Sequence, residues 1–122
     1  MIDTMSRPWD SVLEHYYRLL EYHWPVGPMI DLVESIIESP YRYWLHPLTS
    51  HETLMIGLYE RLAWEYWMTG ALVIEPGNSE ESRPTFRHRD WTERSSTPFE
   101  TLQSFLSRAG WAQRTTEIAN PS

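Results

Sequence analysis

The chain has 122 residues, the size of one ordinary domain, and its 41% hydrophobic and 22% charged content is that of a folded globular protein. It contains no cysteine, which excludes disulfides, thiolate metal sites and cysteine nucleophiles. Its net charge is −7, and all ten basic residues are arginine. This acidic balance argues against general nucleic-acid binding, because attraction to phosphates supplies most of that affinity.

The N-terminal stretch lacks the basic region and following apolar run that are typical of a signal peptide. No apolar stretch approaches the length of about 20 residues that a membrane-spanning helix needs. We therefore expect a cytoplasmic protein with no membrane partner.

Two helices are predicted in the first 40 residues. Ser6 is a candidate N-cap of the first, Pro8 lies in its first turn, and apolar residues at three- and four-residue spacing follow until Pro25. The second helix follows Pro28, carries one apolar face, and ends at Ser39-Pro40.

A third, central helix is predicted over residues 51–69. Thr49 and Glu52 have the spacing of a capping box, and the following residues are apolar on nearly every side of a helix. Such a helix is surrounded by other elements or by a partner subunit.

After Gly70 the pattern changes to that of a small β-hairpin at about 71–91. The stretch 71–75 is short and contains β-branched residues, and the side chains of residues 85–91 alternate as in a returning strand. A fourth helix is predicted from a second capping box at Thr97 to Gly110. The predicted fold is mainly α, with four helices and a two-stranded hairpin between the third and fourth. It forms one domain over residues 1–112, with a flexible tail at 113–122.

The order of a long helix, a strand, a turn and a basic strand over residues 51–91 resembles the last helix and wing of winged-helix domains. The resemblance implies a recognition helix within 51–69 and a wing at 71–91. However, that helix carries Glu52, Glu60 and Glu65 against only Arg61, a composition that favours burial over contact with a DNA groove.

Basic charge is concentrated in one segment. Residues 83–94 carry four arginines against two acids, whereas residues 1–82 carry four arginines against 13 acids. On a single strand, Arg87, Arg89 and Trp91 would share one side, and arginine and tryptophan are both enriched at interface hot spots. We therefore name Arg83, Arg87, Arg89 and Trp91 as candidate partner-binding residues. The alternative is a solvated strand whose arginines pair with acids of this chain.

Signals for metal binding or catalysis are weak. None of the five histidines has a Glu three residues before it, and His-Glu-x-x-His is absent. The nearest approach to a cluster is His46, His51 and Glu52. The carboxylate pairs Asp10/Glu14 and Glu60/Glu65 have arginine nearby, which is typical of surface ion pairs. We predict no catalytic residue, metal site or cofactor.

These features favour a non-catalytic protein-interaction or regulatory module, either a homo-oligomer or a subunit that binds a larger partner. Two alternatives stay open. The first is a winged-helix-like DNA-binding transcription regulator that places Arg83, Arg87 and Arg89 on phosphates. The second is a small ligand- or metal-binding enzyme with an aromatic-lined pocket between its helices.

Overall fold

A computed structural model of the chain describes residues 3–59, 61–63, 67, 70–77 and 83–111. Within these residues the protein is a mixed α/β domain built from three α-helices and an antiparallel sheet. The elements are, in chain order, β1 (Asp3–Met5), α1 (Trp9–Glu21), α2 (Gly27–Ile37), a 3-10 helix (Pro40–Tyr43), β2 (His46–Ser50), β3 (Thr53–Gly57), β4 (Arg61–Ala63), β5 (Leu72–Glu75), β6 (Thr85–His88), β7 (Trp91–Arg94) and α3 (Pro98–Arg108).

The main sheet has five antiparallel strands in the order β2-β3-β5-β6-β7, and β1 and β4 form a separate antiparallel pair. Two-residue turns join β2 to β3 (His51-Glu52) and β6 to β7 (Arg89-Asp90). In both turns the first residue has a positive φ, 56° at His51 and 55° at Arg89. Glycine is the usual residue at that position of a type II′ hairpin turn.

The main core lies between one face of the sheet and the helices. Alternate residues of the central strands point to this face and are buried, as the β-pleat requires. The strands contribute Leu54, Ile56, Leu72, Ile74 and Phe86, and the helices contribute Trp9, Val12, Tyr16, Met29, Leu32, Val33, Ile36, Leu102, Phe105 and Leu106. Polar groups that enter this core are paired: the Trp9 indole donates to the Leu45 carbonyl at 2.9 Å, and the Tyr16 hydroxyl donates to the Glu52 carbonyl at 2.9 Å.

A second, smaller cluster covers the opposite face of β2, β3 and β5. It consists of Leu48, Met55, Trp67 and Ala71, with Val73 packed against it. Trp67, whose backbone is helical, is fully buried there. The middle of the sheet is therefore apolar on both faces.

The predicted fold class, mainly α with four helices, is wrong. The predicted continuous helix over 51–69 is contradicted by β3 and β4, which occupy Thr53–Gly57 and Arg61–Ala63. Because β3 is buried on both faces, its residues 54–56 are all apolar and lack the alternation that marks a half-buried strand. The capping-box interpretation fails with it, since Thr49 belongs to β2 and Glu52 to the turn.

The two-stranded hairpin is also wrong, because its strands are part of the five-stranded sheet. The predicted strand over 85–91 is two strands, β6 and β7, with the turn at Arg89-Asp90. Because strands occupy much of the proposed recognition helix and the proposed wing is part of a five-stranded sheet, the winged-helix layout is wrong as well.

The other helices lie close to their predicted positions. Helices α1, α2 and α3 occupy the first, second and fourth predicted sites, although the N-caps of α1 and α3 are Pro8 and Thr97 and neither gives a side-chain cap. The predicted tail at 113–122, and Glu60 and Glu65, lie outside the described residues. None of the helices in the described ranges is long and apolar enough to span a bilayer.

Candidate binding site

Four aromatic rings meet where the β6–β7 turn approaches the end of α3. Trp91 stacks on Phe105 with ring centroids 5.5 Å apart and planes 19° apart. His88 and Trp111 both meet Phe105 edge-on, at 4.9 Å and 5.0 Å. Offset stacking and edge-to-face contacts are the arrangements that aromatic quadrupoles favour. We call this group the aromatic wall.

The local sequence explains why these rings converge. His88 and Trp91 are directly opposite each other on β6 and β7, so their side chains leave the same face of the sheet. Phe105 belongs to the buried stripe of α3. Beyond the helix, Gly110 adopts a φ of 74°, which a glycine accepts without strain, and the chain places Trp111 against Phe105.

The aromatic wall borders an open cavity of about 600 Å³. Leu58, Tyr59, Gly70, Arg89 and Arg108 also line it. Phe105 and Trp111 are almost entirely buried, whereas Trp91 is half-buried. The cavity therefore offers apolar surface at its wall and positive charge among its lining. We call it the cleft.

The two arginines of the cleft have no acidic partner among the described residues. The Arg108 guanidinium lies 4.6 Å from the centroid of the Trp91 ring, within the range of a cation–π contact. Among the residues that the structure describes, neither Arg108 nor Arg89 has a carboxylate oxygen within 4.0 Å; the ion pairs found there are Arg42–Asp10 and Arg87–Glu75. The positive charge of the cleft is therefore not neutralised by these residues.

Arg89 occupies a costly backbone position. Its φ of 55° is in the left-handed region, which costs a residue with a Cβ about 1–2 kcal/mol and which glycine enters freely. Strained residues that persist in this way are concentrated at functional sites. The conformation places an exposed arginine at the junction of the cleft with a second cavity on the opposite face of the sheet, which is lined by Trp67, Val73 and Arg87.

His88 is the titratable ring of the wall. Its Nε2–H donates to the Gly70 carbonyl at 3.2 Å, which leaves Nδ1 to accept a proton. Burial lowers the pKa of His88 below its ordinary value, the charge of Arg89 lowers it further, and the bond to Gly70 opposes both. The lowered pKa favours the uncharged form of His88, and the permanently cationic groups of the cleft are the arginines.

The four predicted partner-binding residues do not form one face. Arg89 and Trp91 both line the cleft. Arg87 lies on the opposite face of β6 and pairs with Glu75 on the neighbouring strand, so one arginine does meet an acid of this chain. Arg83 is exposed, just before the buried Pro84. The expected sharing of one side by Arg87, Arg89 and Trp91 is wrong because a turn separates the two strands.

The loose cluster of His46, His51 and Glu52 forms no site. His46 is half-buried at the start of β2, whereas His51 and Glu52 form the turn at its other end. The carbonyl of His51 accepts a hydrogen bond from His15 Nε2 at 2.6 Å, and that of Glu52 accepts one from Tyr16. No group of three or more histidine and acidic side chains suited to a metal occurs among the described residues.

Sequence reasoning missed His88, Phe105, Arg108 and Trp111 as site residues. Phe105 and Arg108 were visible as neighbours at i, i+3 spacing near the end of a predicted helix. Nothing in the sequence indicated that this helix end meets the β6–β7 turn, because that contact depends on the order of strands in the sheet.

Comparison of the chain with protein-family models, with curated proteins and with solved structures gave no match. The geometry of the cleft therefore carries the functional proposal: an aromatic wall, guanidinium groups that no described carboxylate neutralises, and an open cavity of about 600 Å³.

Proposed function

We propose that the protein is a non-catalytic interaction module whose cleft binds a segment of a partner protein. The segment carries a carboxylate beside an aromatic or large aliphatic side chain. One observation carries the proposal: Arg89 and Arg108 lie beside the aromatic wall without a carboxylate partner in the described part of a chain whose net charge is −7.

The chemistry of arginine supports a carboxylate ligand. Its planar guanidinium offers two parallel N–H donors to a carboxylate, and it is more weakly hydrated than an ammonium group. The contact with Trp91 restrains Arg108 before any ligand arrives, which lowers the conformational entropy lost on binding. The half-buried Trp91 ring, which lines the cleft, gives an apolar side chain of the ligand an aromatic edge to pack against.

The charge distribution supports a selective site. An acidic segment is repelled by the body of the protein, where residues 1–82 carry 13 acids against four arginines, and attracted by residues 83–94. Opposed fields of this kind suppress other orientations and favour approach to the cleft.

The size of the cleft favours a second candidate, a small carboxylate ligand with an aromatic body. Ligand pockets typically enclose about 300–1,000 Å³, and the cleft has about 600 Å³. A small molecule such as 3-phenylpropionate would fill only part of this volume. The peptide and the small molecule are therefore to be compared directly.

The test is a titration with a short peptide that alternates aspartate with phenylalanine, followed by fluorescence anisotropy of a label on the peptide. Replacing either cleft arginine, as Arg89→Gln or Arg108→Gln, removes a charge-assisted hydrogen bond worth about 1.5–3 kcal/mol and should weaken binding about 10-fold or more. Arg94→Gln is the matched control, because Arg94 is exposed on the other face of the same hairpin.

Two comparison ligands sharpen the result. A peptide with asparagine in place of aspartate should lose affinity because the guanidinium groups then meet no charge. If 3-phenylpropionate binds as tightly as the peptide, the small-molecule candidate is preferred. Equal loss in Arg94→Gln and Arg108→Gln, or no binding of any anionic ligand at low salt, would refute the proposal.

A further inference from the structure

A second surface, at the end of α1, exposes large apolar side chains. Of the seven large hydrophobic residues exposed in the described ranges, four lie within eight consecutive positions: Tyr17, Leu20, Tyr22 and Trp24. Tyr22 is 70% exposed and Trp24 is 43% exposed. We call these four residues the apolar patch. Clustered apolar exposure of this kind marks an interaction site, whereas isolated exposed residues do not.

The backbone holds the patch in one conformation. Trp24 N–H donates to the Leu19 carbonyl at 3.1 Å and His23 N–H donates to the Leu20 carbonyl at 2.9 Å, the pair of bonds that defines a Schellman motif. His23 occupies the position where glycine is usual, with a φ of 66°. Tyr22 and Trp24 therefore flank a fixed helix end, and little order is lost when a partner covers them.

The surroundings of the patch are acidic. The Tyr17 hydroxyl donates to Glu34 Oε1 at 2.8 Å, and this bond, together with the charges of Glu34 and Asp31, raises the pKa of Tyr17. Glu21 is one turn from Tyr17 on α1. Residues 9–38 carry six acids and one arginine, a net charge of −5. Asp10 is the only one of these acids with a cationic side chain within 4.0 Å in the part of the chain that the structure describes.

We propose that the apolar patch and the acids around it bind a basic amphipathic segment of a partner protein, one that presents arginine or lysine beside leucine-like side chains. The proposal does not depend on the cleft, since the two surfaces share no residue. It adds an interaction of opposite charge preference to the one proposed above.

Charge complementarity selects this occupant over a second copy of the chain. A two-fold dimer through the patch would place one surface of net charge −5 against another. Like-charged surfaces of this kind oppose association, whereas a basic segment gains both apolar burial and opposite charge.

The experiment uses the full chain and a labelled helical peptide of about 16 residues, with lysine and with leucine at i, i+3 and i+4 spacing, measured by anisotropy. The double variant Tyr22→Ser/Trp24→Ser should weaken binding at least about 10-fold, because large rings supply most of the energy at such sites. Tyr43→Ser is the matched control: Tyr43 is 80% exposed and lies on the 3-10 helix, away from the patch.

The charge is tested by a second double variant, Glu21→Gln/Glu34→Gln, which should weaken binding and flatten its dependence on salt. Its control is Asp90→Asn/Glu100→Gln, two exposed acids outside the patch. A comparison peptide with serine in place of leucine should bind at least about 10-fold more weakly. Equal affinity of the two peptides would overturn the proposal, as would unchanged binding by both test variants.

Light scattering is run on the same samples. Self-association that Tyr22→Ser/Trp24→Ser abolishes would overturn it too, since the occupant would then be a second copy.

Discussion

Replacing Arg89 by glycine should make the protein more stable while removing the proposed function of the cleft. Arg89 has a φ of 55°, which costs about 1–2 kcal/mol relative to the right-handed region for a residue with a Cβ. Glycine loses about 0.5–1 kcal/mol more backbone entropy on folding than alanine does. The difference predicts a gain of about 0.5–1 kcal/mol in the free energy of unfolding for Arg89→Gly.

The comparison variant is Arg89→Ala, which loses the guanidinium but keeps the Cβ and its strain. Both variants should bind the aspartate–phenylalanine peptide about 10-fold more weakly or worse, since each lacks a charge-assisted hydrogen bond. Only Arg89→Gly should gain stability. Its loss of binding then cannot be explained by unfolding.

His51→Gly is the matched control for the turn. His51 has the same position in the β2–β3 turn and a φ of 56°, and its ring is exposed. The His51 carbonyl that accepts from His15 belongs to the backbone and is kept. His51→Gly should therefore gain stability as Arg89→Gly does, with unchanged peptide binding.

Urea unfolding followed by tryptophan fluorescence measures these differences. With a typical m-value of about 1–3 kcal/mol/M, the predicted gain moves the midpoint upward by about 0.2–1 M. If Arg89→Gly is no more stable than Arg89→Ala, the backbone at Arg89 is not strained. If Arg89→Gly binds the peptide as the unchanged protein does, Arg89 is not part of the site.

Three further predictions concern other parts of the molecule. Trp67→Ala should cost about 3–5 kcal/mol in urea unfolding, because it empties the cluster under the second face of the sheet; Trp24→Ala, at an exposed position, should change stability by less than about 0.5 kcal/mol. Because the pKa of His88 is lowered on folding, the unfolded chain binds the proton first, so stability should fall as pH drops below about 6.5, the ordinary histidine value; in His88→Gln this part of the pH dependence should be absent. Glu75→Gln, which breaks the exposed pair with Arg87, should cost at most about 1 kcal/mol and leave peptide binding unchanged, whereas a large loss of binding would mean that the pair orders the cleft.

Helices α1, α2 and α3 could be predicted from the sequence because each has one buried face. Helix α1 buries Trp9, Val12 and Tyr16 at three- and four-residue spacing and exposes the acids between them. Helix α3 repeats the pattern with Leu102, Phe105 and Leu106. A surface helix on a sheet must show this period, so the position of such a helix follows from local sequence.

The sheet could not be predicted from the sequence because its middle is apolar on both faces. In β3, Leu54 and Ile56 pack under the helices while Met55 packs against Trp67, so three consecutive positions are apolar and the strand looks like a buried helix. The strand and helix interpretations could be separated only by knowing that Trp67 covers the second face of the sheet. This is a tertiary contact that the local sequence does not indicate.

The β6–β7 turn escaped detection because it contains Arg89-Asp90 in place of the glycine-containing pairs that mark such hairpins. Two of the four predicted residues, Arg89 and Trp91, line the cleft. Their partners, Phe105 and Arg108, come from α3. Arg89 and Trp91 of the β6–β7 hairpin could therefore be predicted from the sequence, and the part of the candidate site that comes from α3 could not.

The most direct test of the interaction proposed for the cleft is a ¹H–¹⁵N spectrum of the tryptophan indoles during titration with the aspartate–phenylalanine peptide. Trp91 and Trp111 belong to the aromatic wall, whereas Trp24 lies in the apolar patch and serves as an internal control. We predict that the Trp91 and Trp111 signals move, that the Trp24 signal does not, and that Arg108→Gln suppresses the change. Movement of Trp24 with Trp91 and Trp111 unaffected would contradict the assignment of the cleft as the binding site.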